Sequence, residues 1–160
     1  MQLIPSPSLI AVCLLTLWAT LRAMPVQADP PNIVVIVADD LGWADVSYHA
    51  QRAETPNIDR LVAGGVELDR FYAAPICSPT RAGMMTGRYP IRMGMARSVI
   101  APHINYGLPI DERTLPESLA QLGYDQRAAF GKWHLGHRQA KWHPLNRGFT
   151  HFYGHYNGAI

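Results

Sequence analysis

The stretch that decides the fold is Ile33-Val34-Val35-Ile36-Val37-Ala38-Asp39-Asp40. Its first six residues form a continuous apolar run, mostly β-branched, with the length of one strand. Such a run is typical of a strand buried on both faces, as in parallel sheets that helices cover. In open α/β sheets, ligands bind at the carboxyl ends of the strands. The sequence therefore predicts an α/β fold with a functional site directly after residue 38.

The aspartate pair at that strand end is a candidate metal site. Adjacent carboxylates repel each other unless a cation lies between them, and hard oxygen ligands suit Ca²⁺ or Mg²⁺. The alternative is that Asp39 caps a turn while Asp40 is solvated. The residues alone leave both interpretations open.

A second candidate site is Cys77-Ser78-Pro79-Thr80-Arg81, which precedes a segment that can form a helix. The free N–H groups at a helix start favour anions, and they favour thiolate over thiol. Arg81 adds a permanent cation. The alternative is a buried and inert thiol, the common fate of a lone cysteine. The pattern predicts an anion site beside a reactive sulfur.

The N-terminal segment predicts export. Residues 9–21 are apolar and uncharged, and Val26-Gln27-Ala28 offers a small-residue cleavage site, so residues 1–28 are predicted to be a signal peptide. An uncleaved anchor is the alternative, and it would be the chain's contact with a membrane. Cleavage removes Cys13 and leaves Cys77 as the single cysteine of the mature chain. The predicted location is secreted, periplasmic, lysosomal or within the ER lumen.

The remaining elements alternate between helices and short apolar runs. Helices are predicted over 55–65, with Thr55 as N-cap and Pro56 at the first position, and over 114–122, with a capping box from Thr114 to Glu117. Strands are predicted over 66–71 and 128–130. The second of these leads into Gly131-Lys132-Trp133-His134, and in an extended segment Lys132 and His134 point the same way.

Composition excludes several classes of protein. The chain has 160 residues, the size of one ordinary domain, and 48% of them are apolar while 16% are charged. That balance argues against disorder. A net charge of +2 without a basic run gives no reason to expect a nucleic acid as partner.

Three motifs in this order resemble those of the type I sulfatases. These enzymes are the formylglycine-dependent arylsulfatase family of the alkaline-phosphatase-like superfamily, and the similarity is greatest to the arylsulfatase B-like branch. The resemblance covers residues 31–160, and its motifs are residues 31–43, residues 77–90 and residues 131–136. It implies an α/β sandwich with a largely parallel central sheet flanked by helices, of which this chain is the N-terminal part.

The resemblance also implies a reaction. A formylglycine-generating enzyme would oxidise Cys77 to an aldehyde, which hydrates to a geminal diol. One diol oxygen would attack the sulfur of a sulfate monoester, and the second hydroxyl would then lose its proton and expel sulfate. Asp39, Asp40 and the modified Cys77 would ligate a divalent cation, usually Ca²⁺, with Mg²⁺ as the alternative. Arg81 would hold the modified side chain, and Lys132 and His134 would bind the sulfate or the diol.

The implied activity is therefore that of a sulfuric ester hydrolase. The alternatives are a phosphate or phosphonate ester hydrolase of the same superfamily and a non-catalytic fragment that only binds. Family members are several hundred residues long, so residues 31–160 are expected to form an incomplete catalytic domain that is inactive alone. The stretch from Gly123 to Lys132 is also one residue longer than the family pattern. A one-residue change can reverse side-chain directions in a strand.

Overall fold

The computed structural model describes residues 29–50 and 52–158, so the predicted signal peptide at 1–28 lies outside the described residues. Two compact units divide at residue 38. No helix among the described residues is long and apolar enough to cross a membrane.

The prediction of a buried strand over 33–38 is wrong. These residues lie outside helix and strand, and the side chains of Val34 and Ile36 are 80% and 81% exposed. A strand is stabilised by the backbone hydrogen bonds that it makes with a neighbouring strand. The sheet among the described residues has two strands, and neither includes this run. The apolar β-branched run therefore has a high propensity for strand structure, but no neighbouring strand among the described residues pairs with it.

Four α-helices lie among the described residues of 39–50 and 52–158. They are α1 Ser47–Ala50, α2 Pro56–Gly64, α3 Cys77–Thr86 and α4 Leu115–Gln121. Single 3₁₀ turns lie at Trp43–Asp45, Pro90–Met93, Ala140–Trp142 and Pro144–Asn146.

The predicted helix boundaries are confirmed. Pro56 begins α2, and Thr55 occupies its N-cap position, although the Thr55 hydroxyl bonds to Ser47 and Asp59 instead of capping the backbone. In α4, Thr114 and Glu117 form the capping box, with the Thr114 N–H donating to Glu117 Oε2 at 2.7 Å. Ile76 is the N-cap of α3 and has an extended backbone, so Cys77 is its first helical residue.

The sheet pairs β1 Ala128–Lys132 with β2 His151–His155 in parallel. The strand predicted over 128–130 is thus confirmed, but the strand predicted over 66–71 is wrong. There the Phe71 N–H donates to the Leu68 carbonyl at 3.4 Å and closes a turn. A turn satisfies its backbone locally, whereas a strand would need a partner segment.

Two glycines face each other across the two strands. Gly131 in β1 is paired with Gly154 in β2, and a Cβ on Gly154 would lie 2.0 Å from the Gly131 carbonyl oxygen. Gly131 has a φ of +88°, a conformation that a side chain would strain. The register is continuous through this point, from Ala128 opposite His151 to Lys132 opposite His155.

The core lies between α3 and the segments that follow it. Its buried side chains come from α3, from the irregular segment 89–110 and from the loop after β1, namely Ala82, Met93, Met95, Ile100, Leu108, Trp133 and Leu135. The loop after β1 is therefore anchored by two core residues. Lys132 and His134 flank the first of them, Trp133, so packing fixes where both can reach.

A buried arginine ties the second half of the chain together. Arg147 is 2% exposed and donates to the carbonyls of Leu108 and Glu112, at 2.9 and 2.6 Å. Its Nε lies 3.6 Å from Glu117 Oε1, and its own carbonyl accepts from the Thr114 hydroxyl. One guanidinium thus satisfies two backbone carbonyls and a carboxylate within residues 108–117 and joins that segment to residue 147.

Replacing Arg147 with alanine should destabilise the chain by about 3 kcal/mol or more, because it leaves Glu117 and two buried carbonyls without their donor. Urea unfolding followed by circular dichroism measures this. Arg113→Ala is the matched control, since Arg113 is exposed and bonds to Gln121 at the surface; its effect should stay within about 0.5 kcal/mol. Equal effects of the two substitutions would contradict the assignment.

Candidate active site

The start of α3 is fixed by hydrogen bonds of Ser78, since its N-cap residue Ile76 makes no side-chain cap bond. The buried Ser78 hydroxyl donates to the His134 carbonyl at 2.8 Å and accepts from the Ile100 N–H at 3.1 Å. Both groups are buried, so losing this hydroxyl would leave them without partners. The link holds Cys77 at a set distance from the loop after β1. Ser78 was not predicted as a site residue, because its partners at 100 and 134 are distant in sequence.

Arg81 lies on the next turn of α3 and joins the same loop. One guanidinium nitrogen donates to the Lys132 carbonyl, and the other lies 3.4 Å from Asp39 Oδ2. Its side chain is 11% exposed. A rigid planar cation in this position bridges the end of β1 and the predicted metal loop.

Lys132 is the point where the separate segments meet. Its Nζ lies 2.5 Å from Asp39 Oδ2 and 3.2 Å from Cys77 Sγ. The hydrogen bond from Lys132 lowers the pKa of Asp39, although partial burial acts the other way, and the charges of Lys132 and Arg81 add to the lowering. Burial alone would lower the pKa of Lys132, but its contacts with Asp39 and Cys77 outweigh burial and raise it. The pair is therefore ionised, and the thiol faces an ammonium group.

Asp39, Asp40 and Cys77 converge in one cluster. Their candidate ligand atoms all lie within 4.8 Å of one another. Asp40 has a φ of +60°, which is uncommon for a residue with a side chain and costs on the order of 1 kcal/mol. Two carboxylates brought together by a strained backbone fit a hard divalent cation such as Ca²⁺ or Mg²⁺. The thiol is a softer ligand than these ions prefer, whereas an oxygen at the Cys77 position would suit them.

His134 lies beside this cluster in a buried position. It is 4% exposed, and its Nδ1 has no hydrogen-bond partner among the described residues. Burial lowers the pKa of His134, and the positive charges of Lys132 and Arg81 act in the same direction. A buried nitrogen that lacks a partner is unusual, and it marks a side chain that can serve a bound group.

The prediction that Lys132 and His134 share an extended segment needs a correction. β1 ends at Lys132, and His134 has a φ of +58°, so its backbone is left-handed. The His134 N–H donates to the Tyr156 carbonyl at 3.1 Å. Gly158 packs against the imidazole, where a Cβ would lie 2.4 Å from Cε1. Sequence reasoning missed Gly158, because only this tertiary approach requires a glycine.

The structure thus brings five predicted residues together around one point, and places His134 next to them. The five are Asp39, Asp40, Cys77, Arg81 and Lys132. They come from the loop after residue 38, the start of α3 and the end of β1. The cluster combines two carboxylates, two cations and a sulfur atom, so it can hold a metal ion and an anion side by side.

The model of the family described as Sulfatase matches residues 31–159. The chain belongs to the sulfatase family. Among curated proteins, mouse arylsulfatase J is 42% identical to this sulfatase chain over 129 residues, which is 81% of the chain and 21% of that protein. Rat N-acetylgalactosamine-6-sulfatase is 46% identical over 134 residues, which are 78% of this chain and 25% of the rat protein. Bovine arylsulfatase A is 46% identical over 142 residues, with 28% of its length covered.

Solved structures agree with this sulfatase assignment. The crystal structure of Ps i-CgsB gives a TM-score of 0.74 at 42% identity, covering 80% of the chain and 28% of Ps i-CgsB. The sulfatase PsFucS1 from Pseudoalteromonas sp. gives 0.69 at 31% identity and covers 96% of the chain and 31% of PsFucS1. The predicted alkaline-phosphatase-like α/β fold is confirmed, and the chain spans about a quarter of the length of the curated relatives.

Ca²⁺ should raise the melting temperature of this chain through Asp40, and Asp40→Asn should remove most of that increase. The substitution keeps the shape of the side chain but takes away a charged oxygen ligand. Differential scanning calorimetry with and without Ca²⁺ measures the shift. Asp69→Asn is the control, because Asp69 is a solvated surface carboxylate that pairs with Arg70. A Ca²⁺ shift that survives in Asp40→Asn but disappears in Asp69→Asn would contradict the metal assignment.

Proposed function

We propose that the protein formed with this chain is a sulfuric ester hydrolase that cleaves a sulfate monoester. The observation that carries the proposal is the position of Cys77 Sγ at the first residue of α3, 3.2 Å from Lys132 Nζ and within the aspartate cluster. A group placed there meets a helix start, an ammonium ion and two carboxylates that can hold a metal. Family membership and the arylsulfatases among the relatives support the same reaction.

Asp39, Asp40 and Cys77 would hold the cation, with Ca²⁺ as the first candidate and Mg²⁺ as the second. When bound, such an ion stabilises negative charge on the oxygens of the reacting ester. Lys132 would exchange part of its contact with Asp39 for the sulfate, which carries the same sign of charge as a carboxylate. Arg81 would hold the side chain at position 77 through the geometry that now ties it to the end of β1.

The proposed nucleophile derives from Cys77 after its oxidation to formylglycine. The hydrated aldehyde supplies a nucleophilic hydroxyl and a second hydroxyl that can release the product. The modifying partner would be a formylglycine-generating enzyme that recognises Cys77, Pro79 and Arg81. His134, neutral and with Nδ1 free of partners among the described residues, would accept a proton or a hydrogen bond from the bound diol.

The charge around the site favours an anionic ester once the proposed cation is bound. Lys132 and Arg81 both face Asp39, so one carboxylate is shared between two cations. With a divalent cation bound, positive charge would exceed negative charge in this cluster, so an entering sulfate would offset part of it. The two side-chain cations could then stabilise the charge as it spreads over the sulfate oxygens. One relative is named for a sugar sulfate, N-acetylgalactosamine-6-sulfate, and others are named arylsulfatases. The structure of Ps i-CgsB has also been solved in complex with k-i-k-neocarrahexaose. We propose the sulfate ester of a sugar or a phenol as the substrate class.

We further propose that residues 1–28 are a signal peptide and that residues 31–160 are the N-terminal part of the catalytic domain. Export would place the protein in a secreted, periplasmic, lysosomal or ER-lumen setting. The support is the apolar segment 9–21 with its cleavage site and the single remaining cysteine.

Lys132→Met should reduce kcat/KM for an aryl sulfate by about a hundredfold or more in a chain of the family's full length, because one preorganised cation is lost from the transition state. The chain has two lysines, and Lys141→Met is the matched control, since Lys141 is exposed and lies over the Trp142 ring. The control should stay within about twofold of the wild type. Comparable losses of kcat/KM in both variants would contradict the proposal. So would a wild-type protein that cleaves the corresponding aryl phosphate faster than the aryl sulfate.

The 160-residue chain alone should show no sulfatase turnover, because it spans 21–28% of its curated relatives. The assay follows release of a phenol from an aryl sulfate with added Ca²⁺. Metal-dependent turnover by the isolated chain, abolished in Cys77→Ala, would show that this prediction is wrong.

A further inference from the structure

We propose that His49, as an imidazolium, is a positioning residue that fixes the loop from Asp39 to Trp43. The inference rests on the proposed function only in assigning that loop to metal binding. His49 belongs to α1 and lies outside the catalytic cluster. Its contacts reach back to Trp43 and forward to Glu67, which is 18 residues further along the chain.

The hydrogen bonds of His49 require both ring nitrogens to donate. Nδ1 lies 2.7 Å from the Trp43 carbonyl oxygen, which can only accept. Nε2 lies 3.0 Å from Glu67 Oε1, and an ionised carboxylate also accepts only. A neutral imidazole has one N–H, so it would leave one of these two contacts without a proton. The imidazolium satisfies both.

Aromatic rings enclose the same side chain. The Trp43 ring stacks on His49 with centroids 4.0 Å apart and an interplanar angle of 13°. The Tyr48 ring lies at the same distance with a tilt of 47°. A cation against the face of an indole is favourable. The side chain of His49 is 14% exposed, and the charged group that faces it among the described residues is Glu67, from the chain that follows α2.

The contact with Trp43 extends to the aspartate pair. Trp43 begins the 3₁₀ turn Trp43–Asp45, where the Gly42 N–H donates to Asp45 Oδ2 at 2.8 Å. Two residues separate Asp40 from Trp43, so the carbonyl and ring that His49 holds fix the outgoing end of the loop. The other end of the loop is fixed at Asp39 by Lys132 and Arg81. His49 thus supplies the second anchor that the strained backbone of Asp40 needs.

Protonation of His49 links this anchor to pH. The hydrogen bond to Glu67 raises the pKa of His49, burial opposes it, and the bond to the Trp43 carbonyl adds to the increase. A raised pKa in the folded state means that the contribution to stability is complete below the ordinary value of about 6.5. It is lost as the pH rises through the folded-state value. The anchor is therefore expected to hold in mildly acidic solution and to release on the alkaline side.

Histidine-selective NMR titration of the 160-residue chain tests the proposal without a sulfate ester. In the wild type, the His49 ring should titrate above the ordinary value of about 6.5, and in Glu67→Gln the midpoint should fall because the bond that raises the pKa most is lost. The amide resonance of Gly42 should shift with the same midpoint as the ring. In His49→Gln that transition of Gly42 should disappear, while His103→Gln, which changes an exposed histidine, should leave it unchanged.

Thermal unfolding gives an independent readout. The wild type should melt several degrees above His49→Gln at about pH 5.5, and this difference should shrink by half or more at about pH 9. The proposal would be overturned by a His49 titration midpoint at or below about 6.5. It would also be overturned if the chemical shift of the Gly42 amide did not change over the His49 titration. A protein that fails to cleave sulfate esters would contradict the proposed function but would leave these results unaffected.

Discussion

The ion pair between Lys132 and Asp39, 2.5 Å long and adjacent to Cys77 Sγ, is the interaction on which the site depends. It joins the end of β1 to the loop after residue 38 and to the start of α3. Arg81 reinforces it from the helix, and Trp133 anchors it from the core. Among the described residues, it is the one contact in which a single side-chain atom meets both a carboxylate of the aspartate pair and the sulfur of Cys77.

The parts of the fold that depend on local chemistry could be predicted from the sequence. The capping box of Thr114 and Glu117, the proline at the start of α2 and the helix that begins at Cys77 all depend on residues within one or two turns. The strands predicted over 33–38 and 66–71 failed because a strand needs a partner that its own residues do not specify. Ser78 and Gly158 were missed for a related reason, since their roles arise from contacts with His134 that sequence spacing does not reveal.

The convergence of the predicted site residues was implied by the motif resemblance, and the structure adds how their charges are balanced. Lys132 and Arg81 share Asp39, while burial and the same two cations lower the pKa of His134 and keep its ring neutral. The two carboxylates and two cations balance, so the proposed divalent cation would leave the site with excess positive charge that an anion can offset. A sulfate monoester has one negative charge, which accords with the sulfatase family to which the chain belongs.

The central claim is that Cys77 is the precursor of the reacting group, and the mass of its peptide tests this most directly. After expression in the native host, mass spectrometry of the peptide that contains Cys77 should show a loss of about 18 Da relative to the thiol form, because the thiol has become an aldehyde. Arg81→Ala, which removes a residue that the modifying enzyme is proposed to read, should restore the unmodified mass. An unmodified Cys77 in the native protein would contradict the account.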